Sequence, residues 1–340
     1  MRVRPRTLLI ATIVLLAGSL PAQAVGVPTP VKTTKAFEWA PAAGNDGTHD
    51  YFAWTQNILG RPKAPDSAFV QIDNGAPSRI NPGGTYGFLG DFDAGTSTLV
   101  YQQARGPSSG LRFFDASTHT FLPTPPGINN SLWQWNPSID TDGGSGTTFV
   151  LYGENVFTHP TSPWRLYLYN ETTQAKILLD RTTNRCGCLT GGGIAFPWVV
   201  WSRGLGDVWR YNINTKVKSK IALPTDRDEY YASVTSDGSV YVAQAGDRCG
   251  VQAKLYRVAP GGAATLLFAL PAGSEPLSIN TIETGSGVTL YSDRYYCAAK
   301  TSNIFKIDGA DTVTLRSAVA TVAGSLRPRA ATPAARPRIR

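Results

Sequence analysis

The sequence predicts an all-β protein, a six-bladed β-propeller of four-stranded antiparallel blades in a single domain. Three observations carry that expectation. A short phrase recurs six times at intervals near 47 residues, strand-like runs alternate with turn residues, and helical periodicity is absent. The phrase is an apolar run ending in a large residue, a polar loop, and a second apolar run. The first runs end at Trp54, Tyr101, Tyr152, Trp201, Val242 and Tyr291, at separations of 47, 51, 49, 41 and 49 residues. The second runs end at Asp73, Asp115, Asn170, Asn212, Ala259 and Asp308.

Each unit reads as four short strands. The third unit predicts strands over 132–135, 148–152, 165–169 and 175–179. The fifth predicts them over 230–234, 239–243, 254–258 and 264–269. Turn signals stand between them: Asp46-Gly47, Asp73-Asn74-Gly75, Asp142-Gly143, Asp237-Gly238 and Gly261-Gly262. Such pairs favour tight hairpins because they tolerate positive φ. Six units of four strands fit a radial ring, which leaves only short protected edges. A seventh blade would need about 45 further residues. The propeller is expected over residues 36–320, and segment 25–35 can supply an edge strand to the last blade that closes the ring.

The two ends read differently from the body. Residues 1–24 carry Arg2, Arg4 and Arg6, then an apolar stretch from Leu8 to Leu20, then Ala22-Gln23-Ala24. That is the pattern of a secretory signal peptide, and the stretch is shorter than the roughly 20 residues of a spanning helix. The mature protein is therefore expected to be secreted or extracytoplasmic, in the cell envelope, monomeric, with no transmembrane span. Residues 321–340 form an Arg/Pro/Ala-rich tail without acidic residues, expected to be disordered. The formal charge of +8 comes from the three Arg of the leader and the five from Arg327 to Arg340. The body between them is neutral, which argues against nucleic acid as a partner.

The wording of the units resembles a known family. PSIDTDGG before TTFVLYGE, and ASVTSDGS before VYVAQAG, are similar to the Ser-x-Asp-Gly-then-strand phrase of TolB-type (WD40-like) propeller repeats. LYLYNETT and IFKIDGAD match that family's third strand and its terminal Asp. The resemblance covers roughly residues 36–318. The fourth unit departs from it, because LTGGGIAFPWVVW lacks the Asp-Gly. The resemblance implies a ring that binds proteins or small ligands, or that supports a separate catalytic domain.

Four cysteines in an exported chain are expected to be oxidised, and four allow three pairings. Cys249 and Cys297 hold matching places after the second strands of the fifth and sixth units. Corresponding loops of adjacent blades are neighbours, so the repeat predicts Cys249–Cys297 and leaves Cys186–Cys188 as a tight pair. The first bridge would contribute about 3–4 kcal/mol in the chain-entropy model. A metal at Cys186-x-Cys188 is the rival reading, but no His-rich partner supports it.

Loops joining second to third strands share a face with the crossovers between blades. They bring Arg61, Arg105, Arg203, Arg248 and Arg294 to that face, with Trp164 and Tyr295 nearby. Guanidinium forks hold carboxylates and aromatic rings stack on sugars, so these residues suit an anionic or sugar-like ligand. The competing reading is that the Asp247-Arg248 and Asp293-Arg294 pairs only satisfy each other or their neighbours. Catalytic signals are sparse. His49, His119 and His159 lie in separate loops, and Gly144-Ser145-Gly146 reads as a hairpin turn and not as a nucleophile elbow. No cofactor or metal motif is present, and no catalytic residue is assigned. The sequence thus points to a non-catalytic exported binding module for a protein, glycan or cell-wall ligand. The alternative is a small secreted hydrolase or lyase using carboxylates at the channel mouth, with Glu154, Asp207, Glu229, Asp247 and Asp293 as candidates.

Overall fold

The computed structural model describes residues 28–34, 36–57, 66–130, 132–155, 163–183, 189–190, 192–203, 206–224, 229–244 and 252–311. Every regular element among them is a β-strand. The Val, Ile, Tyr, Phe and Trp that fill these runs suit a pleated, buried surface.

Strands 86–92, 98–105, 108–115 and 120–122 form one antiparallel sheet. Strands 133–141, 148–155, 164–170 and 175–182 form another, and 229–234, 240–244, 254–258 and 264–269 a third. In a further sheet, 198–203, 207–212 and 218–220 follow an inner strand split into 189–190 and 194–195. The remaining sheet has nine strands. A single parallel bridge between Phe37 and Ser302 joins its two halves. One half is 37–45, 50–57, 67–72 and 78–79. The other is 274–275 with 279–284, then 287–296, 301–307 and the N-terminal strand Thr29–Lys32. Divided at that bridge, the strand groups follow the six sequence units, and they are called blades one to six here. Thr29–Lys32 pairs antiparallel with the third strand of blade six, so residues from both ends of the described chain build one blade.

Apolar clusters lie between successive blades. Val100, Leu111 and Phe113 of blade two meet Ile139, Val150 and Tyr152 of blade three. Leu151 and Leu168 meet Val199 and Trp201 at the next joint, Val200 and Val208 meet Val234 and Val242 at the next, and Tyr241 and Leu255 meet Leu290 and Ile307 at the last of these. Large residues closing the first runs lie in these joints: Tyr152 and Trp201 are fully buried there, and Tyr101 is fully buried in the cluster between blades one and two.

The inner strands are longer than the sequence suggests. The third unit's runs over 133–141, not 132–135, because it passes through a bulge at Asn136-Pro137. Asn136 takes a positive φ of 44° there, and the bulge accommodates a proline that lacks an N–H. Ala40 of blade one, with φ 47°, sits at the same kind of register shift before Pro41. In blade two the shift falls at Gly90, where a Cβ would run into the carbonyl oxygens of Pro137 and Val100. Gly144-Ser145-Gly146 is a hairpin turn, as its composition indicates. In blade four, which lacks Asp-Gly, the hairpin turns at Phe196-Pro197 through a cis peptide bond.

Candidate functional site

The bulges bring polar side chains to the axis of the ring. Asp91 is the centre of this arrangement. Asn280 Nδ2 of blade six donates to its Oδ1 at 2.8 Å, and Ser138 Oγ of blade three donates to its Oδ2 at 2.9 Å. The Ile194 N–H of blade four donates to Ser138 Oγ at 3.1 Å, and the Ala43 N–H of blade one to Asn280 Oδ1 at 3.4 Å. Ser233 and Thr281 join blades five and six at 2.7 Å. Five inner strands are thus linked through two side chains of blades two and three and one of blade six. Burial raises the Asp91 carboxyl to about 7, against hydrogen bonds from Asn280, Ser138 and Phe92 that lower it. Asp140 rises to about 6 for the same reason. These groups hold the axis together.

The sequence singles out residues for the face formed by second-to-third-strand loops. Arg61, Arg248, Cys186, Cys188 and Cys249 lie outside the described residues. Arg105 ends a strand and is exposed, and the turn after it is only two residues long. Arg203 also ends a strand. Its Nε lies 3.5 Å from Asp180 Oδ1, and Lys218 Nζ lies 3.4 Å from Asp180 Oδ2. Trp201 Nε1 donates to the same Asp180 at 2.8 Å. Trp164 packs edge-on against Trp135, with centroids 4.5 Å apart. Arg294 and Tyr295 are strand residues, not loop residues. The Arg294 guanidinium lies over Phe305 at 4.5 Å and Phe268 at 5.6 Å, while Asp293 is turned away and accepts the Leu277 and Ser278 N–H groups at 2.8 and 2.7 Å. Side chains of successive strand residues point to opposite faces, so this Asp-Arg neighbour pair does not pair. Burial raises Asp293 to about 7.

The described candidate carboxylates are likewise engaged. Asn130 Nδ2 donates to Glu154 at 2.7 Å, with Arg165 at 4.0 Å. Asp207 is paired with Lys220 at 2.5 Å. The Val208 N–H donates to Glu229 Oε2 at 3.1 Å. Burial lifts Glu229 to about 7, the Val208 bond opposes this, and the nearby Asp207 charge adds to it. The same joint recurs with different chemistry: Asn81 accepts the Ala68 N–H at 2.9 Å, and Asn129 accepts the Leu111 N–H at 2.8 Å. Glu229 thus does for blade four what carboxamides do for blades one and two.

A sixfold position escaped the sequence reading. Two residues beyond each run-closing residue stand Gln56, Gln103, Glu154, Arg203, Gln244 and Asp293. Residues at i and i+2 share a strand face. Trp54 Nε1 accordingly donates to Gln56 at 3.3 Å, and Tyr101 Oη to Gln103 at 3.2 Å. The signal was present in the words WTQ, YQQ, YGE, WSR, VAQ and YSD.

Among the described residues, no group of three His, Cys, Asp or Glu could hold a metal ion. No described helix is long and apolar enough to cross a membrane. No family model matches the sequence, and no curated protein matches it. The fold is similar to TolB from Acinetobacter baumannii, with TM-score 0.50 and 10% identity over 78% of this chain. The chain spans 65% of that protein's length. It is also similar, at TM-score 0.45 and 12% identity, to an oligogalacturonate lyase from Vibrio parahaemolyticus, over 82% of this chain and 80% of that one. The likeness to TolB extends to the fold, a β-propeller.

Proposed function

We propose that this chain is an exported, non-catalytic binding module whose ring face of second-to-third-strand loops meets a protein, glycan or cell-wall ligand. One observation carries the reading: the described carboxylates suited to acid–base work, Glu154, Asp207, Glu229 and Asp293, are each engaged by the fold's own donors or cations. A group that closes a joint between strands is a poor proton shuttle. In this reading residues 1–24 direct export, Cys249–Cys297 and Cys186–Cys188 are bridged, and Arg61, Arg105, Arg203, Arg248 and Arg294, with Trp164 and Tyr295, ring the ligand. The tail from 321 stays solvated and the protein acts as a monomer.

The test is titration of the mature chain with soluble peptidoglycan fragments and polysaccharides, followed by melting temperature and by release of reducing ends. Binding to the native state raises the melting temperature. A shift without new reducing ends supports the module. Peptide mapping without reductant checks the two bridges. A second reading, a hydrolase or lyase, is favoured by one feature: Glu229, raised to about 7, sits in the field of Asp207, a pairing that separates an acid from an ionised partner. Release of reducing ends that Glu229→Gln abolishes would establish that reading instead.

A further inference from the structure

On the opposite face of the ring, two successive joints solve one problem differently. Arg210 in the third strand of blade four and Arg257 in the third strand of blade five hold equivalent places in VWRYN and LYRVA. Arg210 reaches into blade five: Nη1 donates to Gly238 O at 2.6 Å and Nη2 to Pro260 O at 3.3 Å. Arg257 reaches blade six with one of its two bonds, donating to Asp311 O at 2.7 Å, while the other goes to Ser239 Oγ of its own blade at 3.2 Å. The residue three before the run-closing one decides what else the joint contains. In blade four it is Trp198, whose ring lies 4.6 Å from the Arg210 guanidinium and would stand 2.7 Å from a Cβ on Gly238. In blade five it is Ser239. The volume that the indole fills at the first joint is a cleft of about 240 Å³ at the second.

That cleft is chemically incomplete. Tyr241 lines it and is fully buried, yet its hydroxyl has no hydrogen-bond partner. Buried polar atoms are rarely left so, because the lost hydration is not recovered. Arg257 Nε is a second unpartnered group. Asp237, Glu283 and Asp311 also line it, giving three carboxylates against one guanidinium. Asp237 is used by Thr235 and Ser239, Glu283 by Ser236, and Asp311 Oδ1 by the Val288 N–H at 3.0 Å. A carboxylate has about four acceptor sites, so each keeps capacity toward the cleft. Gly287, with φ 120°, leaves room for Asp311: a Cβ there would lie 2.7 Å from its Oδ1.

We propose that this cleft binds a small organic ammonium compound carrying a hydroxyl or carboxylate on a neighbouring carbon, held by Tyr241, Arg257, Asp237, Glu283 and Asp311. The carboxylates take the ammonium, and the two unpartnered groups take the adjacent oxygen. Amino sugars and α-amino acids share this chemistry. The site lies on the other face from the proposed ligand ring and stands apart from that reading.

The experiment is calorimetric titration and thermal melting of the mature full-length protein with glucosamine and with glycine, against glucose and against sodium chloride at matched ionic strength. A bound probe at about ten times its Kd raises the melting temperature by roughly 2–4 °C. Glucosamine alone binding identifies an amino sugar, and glycine binding an amino acid. Tyr241→Phe removes a hydroxyl that nothing in the fold uses. It is expected to keep the unliganded melting temperature and lose at least about tenfold in affinity, the loss of one buried hydrogen bond. Asp311→Asn keeps the Val288 bond and loses the charge, with a similar loss. Ser239→Trp fills the cleft and abolishes binding. Glucose or salt giving the same shift, no shift with either probe, or undiminished binding by both Tyr241→Phe and Asp311→Asn overturns the proposal.

Discussion

The joint between blades four and five and the joint between blades five and six share a backbone plan and differ in what fills it. The first is packed with Trp198 against Arg210, an apolar cluster, and the buried carboxylate of Glu229 capping the Val208 N–H. The second has its own apolar cluster, the Ser233–Thr281 bond, and a polar cleft where Ser239 replaces the indole. A ring of repeats therefore does not distribute its chemistry evenly. Packing that is uniform at the level of strands leaves single side chains to decide whether a joint is closed or open. The apolar clusters do not titrate, so pH dependence enters only through groups such as Glu229 and Asp91.

The sharpest way to break the comparison is to make the first joint resemble the second. Trp198→Ser removes a half-buried indole and its contact with the guanidinium. It is expected to cost about 2–4 kcal/mol in chemical denaturation, with an unchanged m-value. The pH dependence of the first joint comes next. Glu229 titrates at about 7 in the fold against 4.5 in its ordinary state. The folded protein holds this proton more tightly, so the group's contribution falls as pH rises from about 4.5 to 7. Glu229→Gln should keep the Val208 bond and flatten that slope. The variant should exceed the parent at pH 8 by on the order of 1–3 kcal/mol and match it near pH 4.5. Asp91→Asn makes the same test at the axis shared by both joints, with its window running from about 3.8 to 7. Its net gain should be smaller, about 1–2 kcal/mol, because both Asp91 oxygens accept hydrogen bonds and an amide offers only one acceptor, so one of the Asn280 and Ser138 bonds is lost. The smallest effect belongs to the second joint. Ser233→Ala removes two neutral hydrogen bonds, with the Thr281 hydroxyl and from the Thr281 N–H, and should cost about 1 kcal/mol at every pH, since neither residue titrates.

Much of the scaffold was legible because its signals are local. The third and fourth strands of the fifth unit fall on the predicted spans, 254–258 and 264–269, where apolar runs are bounded by Gly and Pro. Asp237-Gly238 turns where it should, with Gly238 at φ 84°. The inner strands were less legible. A proline at 137 reads as a strand end, and only the pairing with 148–155 shows it absorbed in a bulge. The predicted ligand residues were less legible still. Arg294 and Tyr295 read as loop because Cys297 and the polar run after it blur the strand end at Tyr296. Arg203 reads as a free cation, and its partner Asp180 belongs to the previous blade.

By itself, the sequence determined the repeat, the strand-rich units and the turns between them. Each rests on residues a few positions apart, and backbone sterics and side-chain period act over that range. Tertiary structure alone decided which polar groups are used up and which are left over. Asp91 meets Asn280 across 189 positions of chain, and Trp198 and Ser239 differ in consequence only because blades five and six stand where they do. Desolvation and hydrogen-bond partnership depend on what surrounds an atom in space, and for residues in different blades no local pattern carries that information.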